Sequence, residues 1–365
     1  MTRESTDFYG KMENPFHRFI DSTEKTSLLD PFSLDDFFLN EFHRINHDGS
    51  AGDLIAKVND LGLLALRFQN ISRITACAMV RDLCFLASSL VRHGVDIREA
   101  SGLEQALIGL SRITREVPRD NVYTYSMRNP KGKRRRSFTG SSEELLFIEL
   151  LDDSNEEILK LLSIFPGGEE FDVESLECAN TLQMCAGGLR VLISSTLSVR
   201  KRIPPEVFSG EIRPFFDPLY IGGRSWVGHS AAQMPLLLID WALWGCDCTD
   251  DAYREYFRHN MEYSPAIIRD CSKWKGLVKS YVSVLERAAR QGPLSSAARA
   301  NATALLKVLN ELVKFRYPHI KVAEENFRIR GGKIGGSGGY DMGILYRLAE
   351  HTQNNRIRIK TVLKT

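Results

Sequence analysis

The sequence predicts a mainly α protein built around one large core. Through most of the chain apolar residues recur three and four positions apart, the spacing of one helix face. No stretch of any length alternates apolar and polar residues as a half-buried strand does. A hydrophobic content of 43% over 365 residues suffices for a single large interior with appendages.

Residues 1–50 form an N-terminal extension in this reading, and residues 51–365 the helical domain. The extension has no sustained period and is interrupted by Pro15 and Pro31. Its Asp-Phe-rich patch DDFFLNEF suits an arm that docks its aromatic rings on a larger body. From Ala51 a helical face reads through Leu61, Leu64, Ala65 and Phe68, and a second through Ala78, Leu83, Leu86 and Leu90, with Gly94 as a stop after His93. In MRNPKGKRRRSFTGSSEE, Pro130, Gly132 and Gly140 break any helix, and the basic cluster between them reads as a solvated loop rather than a nucleic-acid patch. Further helices are expected over 145–165, 176–199 and 234–244. A long amphipathic one follows through Ala298, Ala302, Leu305, Leu309 and Leu312, reaching Pro318.

The 48 Lys and Arg against 46 Asp and Glu leave a net charge of +2, which gives no reason to expect a nucleic acid or an acidic membrane as partner. The polar, charge-broken N-terminus lacks the apolar run of a signal peptide or anchor, so a cytoplasmic protein is expected. The seven cysteines include no CxxC pair and no zinc-finger spacing, and suit reduced thiols packed in the core.

Among eight histidines, His319 is singled out by its setting in KFRYPHIKVAEENF. Pro318 lacks an N–H, so it is expected to kink or restart the helix and leave His319 in a first turn. Val322 and Ala323, three and four residues on, are small and apolar enough for a flat macrocycle to approach the imidazole. If helical geometry persists through the proline, Arg316 could reach a heme propionate at the same edge. Arg213, between Ile212 and Pro214 in an aromatic stretch, reads equally as a carboxylate clamp and as one half of a buried ion pair. The glycine-rich GGKIGGSGGY lacks the ending of a P-loop. Its backbone and the Ser337 hydroxyl could approach a small anion, or the segment could be a tight turn.

Taken in order, EIRPFFDPLYIGG, SAAQMPLLLIDWALWG, DDAYREY, FRYPHIKVAE and GSGGY, preceded by RDLCFLASSLVRHG and RSFTG, resemble the heme-dependent dioxygenase superfamily of indoleamine and tryptophan dioxygenases. The closest branch is that of monodechloroaminopyrrolnitrin synthase, and the resemblance spans about residue 51 to the C-terminus. It implies a helical heme-binding domain of the indoleamine dioxygenase type, with His319 the proximal iron ligand and Arg316 the partner of a propionate. It implies that Phe208 and Arg213, in the pattern F-x-x-x-x-R, are the aromatic wall and the carboxylate-binding arginine. Ser337 and Gly338 would lie in the loop that closes over the amino-acid end, and Tyr123 or Tyr125 near the distal side of the heme. The distal serine of indoleamine dioxygenases has no counterpart in ELLFIELL, which speaks against simple indole cleavage. Absence of CxxCH implies non-covalent heme b.

The expected activity is therefore a heme-dependent oxygenase acting on a free L-amino acid in antibiotic biosynthesis, using dioxygen or hydrogen peroxide and, where the oxidant requires it, an electron donor. The lean is to N-hydroxylation of L-arginine. Oxidation or rearrangement of a tryptophan derivative is the alternative, and a non-catalytic heme sensor or carrier the second.

Overall fold

A computed structural model describes residues 14–49, 51–166, 171–329 and 338–365. It is a helical fold, as the apolar spacing predicts, and its one small sheet is a hairpin of β1 (Leu219–Ile221) and β2 (Arg224–Trp226) turning on Gly222 and Gly223. Both glycines have positive φ, of 61° and 78°, which an L side chain adopts only under strain.

Eleven helices carry the argument among the described residues. They are α1 (Pro15–Ser27), α2 (Ala51–Arg67), α3 (Arg73–Arg92), α4 (Leu103–Thr114), α5 (Ser142–Ile164) and α6 (Leu176–Gly188), followed by α7 (Arg190–Arg202), α8 (Asp251–Glu262), α9 (Tyr281–Gln291), α10 (Ser296–Ile329) and α11 (Met342–Val362). One group gathers on α3, against which α1, α2 and α4 pack; the other gathers on α10, flanked by α6, α7 and α11. The middle helix α3 is buried on every side from Ala76 to Leu90. Its length and apolarity would also let it cross a bilayer, but 83% of that apolar window is buried within the fold, which accounts for the composition. Ser72 caps its N-terminus by accepting from the Thr75 amide, and Gly94, at φ +80°, ends it after His93 as expected. Cys77 and Cys84 lie within it, and burial pushes the Cys77 thiol up to about 11, away from reactivity.

Several local expectations change. The core-facing stripe of α2 is Leu54, Val58, Leu61 and Ala65, while Leu64 and Phe68 are exposed. Four leucines in six positions, Leu61 to Leu66, fit more than one helical phase; the close seat of Gly62 on the backbone of Ser101 to Leu103 selects the one observed, because no larger residue fits there. The described part of the extension is itself helical. Phe16, Phe19, Phe37, Phe38 and Phe42 join the same apolar cluster as α3.

The basic segment is solvated only in its first half, where Lys131 and Lys133 are exposed. Arg136 is fully buried, pairs with Asp30, Asp35 and Asp82, and covers the ring of Phe38; Arg134 adds a second contact to Asp35. These pairs fasten the N-terminal segment to the body. Nor does Pro318 restart the helix: α10 runs unbroken from Ser296 to Ile329 with Pro318 inside it. Only the one hydrogen bond to the Lys314 carbonyl is forfeited, since proline has no N–H to give. The expected helix over 176–199 is two helices, meeting at Leu189.

Candidate active site

The second half of α10 borders an internal cavity of about 280 Å³. Its wall is assembled from distant parts of the chain: Phe147 on α5, Thr196 on α7, the turns over 205–216, the loop 229–237, α10, and the start of α11. Most of that wall is apolar, as binding cavities are, with a few polar groups set into it.

His319, Val322 and Ala323 all line the cavity from α10. The His319 ring stacks on Phe315 at 5.3 Å, and no described residue hydrogen-bonds it. By accessible surface His319 is half-buried. Burial, helped by the charge of Arg316, pushes its pKa down to about 4, so the imidazole is neutral at ordinary pH, the form that ligates a metal. Arg316, one helical turn earlier, also lines the cavity. Its Nε donates to Thr352 Oγ1 at 2.7 Å and its guanidinium pairs with Asp240, both ends being buried. Helical geometry thus does persist through the proline, as the propionate reading of Arg316 requires, yet the side chain is already held by a carboxylate.

Phe208 and Arg213 sit on consecutive tight turns. Pro204 and Pro205 start a short helix, Phe208–Ile212 forms a widened π-helical turn, and Arg213–Phe216 closes into a 3-10 turn. Both side chains reach the cavity wall. Phe208 packs edge-on against Phe147 at 5.0 Å. Arg213 is buried and its Nη1 donates to Asp217 Oδ1 at 2.9 Å. Arg213 is thus one half of an ion pair whose other half, Asp217, is exposed, and it also lines the cavity.

Gly338 also lines the cavity, close enough to Ser230 that a Cβ there would lie 3.0 Å from the Ser230 hydroxyl. Ser337 and most of the glycine-rich segment lie outside the described residues. Tyr340 and Asp341 complete this side of the wall, Asp341 capping α11 through the Gly343 amide.

The two tyrosines expected near the distal side do not line the cavity. Tyr123 is fully buried and meets the ring of Phe19 edge-on. Tyr125 donates from its hydroxyl to Glu144 Oε1 at 2.9 Å, deep in the body. The cause lies at Asn121, whose side chain accepts from the Tyr123 and Thr124 amides and winds 122–125 into a single helical turn facing inward.

What lies between Tyr125 and the cavity is a residue the sequence reading passed over, His229. It lines the cavity, is 2% exposed, and is held by a hydrogen bond from Nδ1 to Asp120 Oδ2 of 2.8 Å. Its ring stacks on Tyr125 at 3.7 Å and leans on Phe216 at 3.6 Å. The one local signal was Gly228 just before it, where a Cβ would collide with the Phe216 carbonyl and crowd Arg119, so the backbone must be glycine for the histidine to be seated here.

The donor set fits a heme: one neutral, half-buried imidazole with no hydrogen-bond partner among the described residues, small side chains beside it, apolar walls, and a cation one turn away. The family model for monodechloroaminopyrrolnitrin synthase PrnB matches residues 53–364. The chain belongs to that family, a heme-dependent branch of the indoleamine and tryptophan dioxygenase-like oxygenases.

Proposed function

We propose that this enzyme, a heme-dependent oxygenase of antibiotic biosynthesis, oxidises a free L-amino acid in the cavity between α10 and the 205–237 segment, and that the substrate is L-arginine, hydroxylated on a guanidinium nitrogen. The observation that carries the reading is that His319, Arg316, Phe208, Arg213 and Gly338 line one cavity. The heme would be a non-covalent heme b with His319 as its proximal ligand and Arg316 beside a propionate. When bound, it supplies the activation of dioxygen or peroxide, with an electron donor where dioxygen is used. The protein supplies position. Arg213 takes the α-carboxylate, because a guanidinium fork in an apolar wall binds a carboxylate more firmly than water does. Phe208, Phe147 and Phe216 keep water away from the reacting end. Asp341, exposed on the same wall and already accepting from the Gly343 amide, offers a carboxylate to a cationic side chain. The enzyme would work in the cytoplasm.

A tryptophan derivative is the second reading, favoured by the aromatic lining of Phe147, Phe208, Phe216 and Tyr256, which suits a flat indole. Titration of the ferric protein with L-arginine, L-tryptophan and L-tyrosine separates the two. L-Arginine is expected to perturb the Soret band at the lowest concentration, and turnover with peroxide, or with dioxygen and a reductant, to add one oxygen atom to it. Tight binding of tryptophan with two oxygen atoms incorporated would replace monooxygenation of arginine by dioxygenation.

A further inference from the structure

A second cleft, of about 540 Å³, opens between the end of α4, the segment 115–118, the β1–β2 hairpin and residues 262–269. It shares no lining residue with the cavity that holds His319. Its size falls within the range of small-molecule sites, about 300–1,000 Å³. Ile108, Val117, Pro118, Ile221 and Trp226 make much of its wall apolar.

Five charged side chains stand in that wall, and their pairing leaves it cationic. Both carboxylates are occupied by arginines from outside the cleft. Glu116 accepts from the two Nη atoms of Arg128, at 2.6 and 2.7 Å, and lies 3.4 Å from Arg73. Glu262 accepts from the two Nη atoms of Arg224, at 2.7 and 2.6 Å. The three arginines of the wall bond neither of these acids. Arg112 is exposed and bonds no described residue through its side chain. Arg115 reaches out of the cleft to Asp270 at 2.8 Å, a carboxylate that Lys275 also contacts at 3.2 Å. Arg269, half-buried, bonds only carbonyls among the described residues, those of Glu262, Ser264 and Arg115, at 3.3, 3.4 and 2.8 Å.

Those bonds use at most three of the five N–H groups of the guanidinium, so the Arg269 cation is fixed in place with donors to spare and no carboxylate bonded to it. The bond to Arg115 also occupies the carbonyl that follows the C-terminal end of α4, where the helix dipole would otherwise oppose an anion. A cleft lined by one sign of charge over apolar walls concentrates the opposite ion.

We propose that this cleft is a binding site for a small organic anion with an apolar body, such as an aromatic carboxylate. Arg269, assisted by Arg112 and Arg115, takes the anionic group, and the apolar part covers the wall around Val117, Pro118 and Trp226. A bare inorganic anion would leave that wall wet, and an uncharged ring would leave three cations unanswered. The site is separate from the substrate cavity and does not depend on which amino acid that cavity takes.

Isothermal titration calorimetry of the heme-loaded protein with naphthoate, and with uncharged naphthylmethanol, which carries the same ring, tests the proposal. Naphthoate should bind at least about tenfold more tightly, and added salt should narrow the difference. Arg269→Gln should weaken naphthoate by about tenfold and the alcohol by less than about twofold. Arg112→Gln, at an exposed position, should weaken naphthoate by about threefold. Arg213→Ala, which alters the substrate cavity, should leave naphthoate binding unchanged. Should Arg269→Gln not fold, because it also releases three carbonyls, the double variant Arg112→Gln with Arg115→Gln alters only exposed side chains and should show a comparable loss. Equal affinity for the two probes overturns the proposal, as does the absence of measurable binding. An affinity that falls in Arg213→Ala and not in the cleft variants overturns it too, since the probe would then occupy the substrate cavity.

Discussion

Arg213 and Arg316 line the same cavity as buried arginines paired with an aspartate, yet their removal should have opposite consequences. The Arg213 side chain is 7% exposed but its partner Asp217 is 42% exposed, so without the arginine the carboxylate turns to water. An ion pair with one solvated end contributes at most about 1 kcal/mol to folding. A ligand carboxylate bound inside the apolar wall has no such recourse, and loses about 2–4 kcal/mol of charge-assisted hydrogen bonding, or roughly 30- to 1000-fold in Kd. Arg316 and Asp240 are each only 7% exposed. Taking Arg316 away strands a buried carboxylate and should cost about 3–5 kcal/mol of stability. Burial already raises the Asp240 pKa against the opposition of Arg316, and with the cation gone it rises further. The unfolded chain then binds fewer protons than the folded one above the ordinary carboxylate range, so the Arg316→Ala variant should lose stability as pH rises. Thermal unfolding, heme content and Soret titration of Arg213→Ala and Arg316→Ala together read all of this. An Arg213→Ala protein that binds the amino acid normally, or that is destabilised as much as Arg316→Ala, would refute the reasoning.

The wild-type protein should be red, His319→Ala should lose most of its Soret absorbance, and acid-acetone should extract all the heme; full occupancy in the variant, or heme left on the polypeptide, would contradict the assigned ligand and attachment. Arg136→Met should destabilise the protein by about 3–5 kcal/mol in urea melts and expose residues 14–49 to protease, because it unpairs a buried cluster; a loss under 1 kcal/mol would mean that the segment is held by its phenylalanines alone. With a folded pKa of about 2 against an ordinary 3.8, ionised Asp120 stabilises the fold by about 2 kcal/mol above pH 4, and that contribution disappears as pH falls towards 2. Asp120→Asn should accordingly flatten the acid limb of the stability profile, and an unaltered limb would show that other carboxylates dominate it.

How much of this was legible in the sequence follows from the range over which each feature is decided. Helix identity is decided within a few turns, so the leucine and alanine spacing found α3 and α10, and the Ser72 cap and Gly94 stop lie next to what they bound. The facing of α2 was not decided locally. Leu61 and Ala65 face the core as expected, but whether Leu64 joins them depended on where Gly62 meets Ser101, some forty residues on. The second half of KGKRRR misled for a related reason: a run of five basic residues in six looks solvated unless the acids that neutralise it are known, and Asp30 and Asp35 come from the N-terminal segment and Asp82 from α3. Pro318 misled through strength of expectation. One missing N–H is a small loss in a helix of 34 residues packed along three neighbours, and the rest of the helix outweighs it.

The site divides along the same line. His319, Arg316 and the Phe208-to-Arg213 spacing are each carried within a few residues, and the structure brings all four to one cavity. The opposite group was misjudged because it is defined by partnership. Tyr123 and Tyr125 have the chemistry of distal residues, but an Asn121 cap turns them inward, and their place beside the cavity is taken by a histidine more than one hundred residues later whose carboxylate partner is Asp120. This sets the terms on which the substrate is chosen. In the proposed function the α-carboxylate is met by Arg213, a group that any amino acid satisfies; discrimination must then come from what meets the side chain. On the cavity wall that means Asp341, which prefers a cation, and the phenylalanines, which prefer a ring. Arginine answers the first, and tryptophan the second. The Asp341→Asn variant therefore weighs the two readings directly: it should weaken L-arginine binding by about tenfold and leave L-tryptophan within a factor of about two, since only the guanidinium loses a charge-assisted contact. Equal affinities for L-arginine in the variant and the wild type would remove the aspartate from the argument and leave the aromatic walls to decide the substrate.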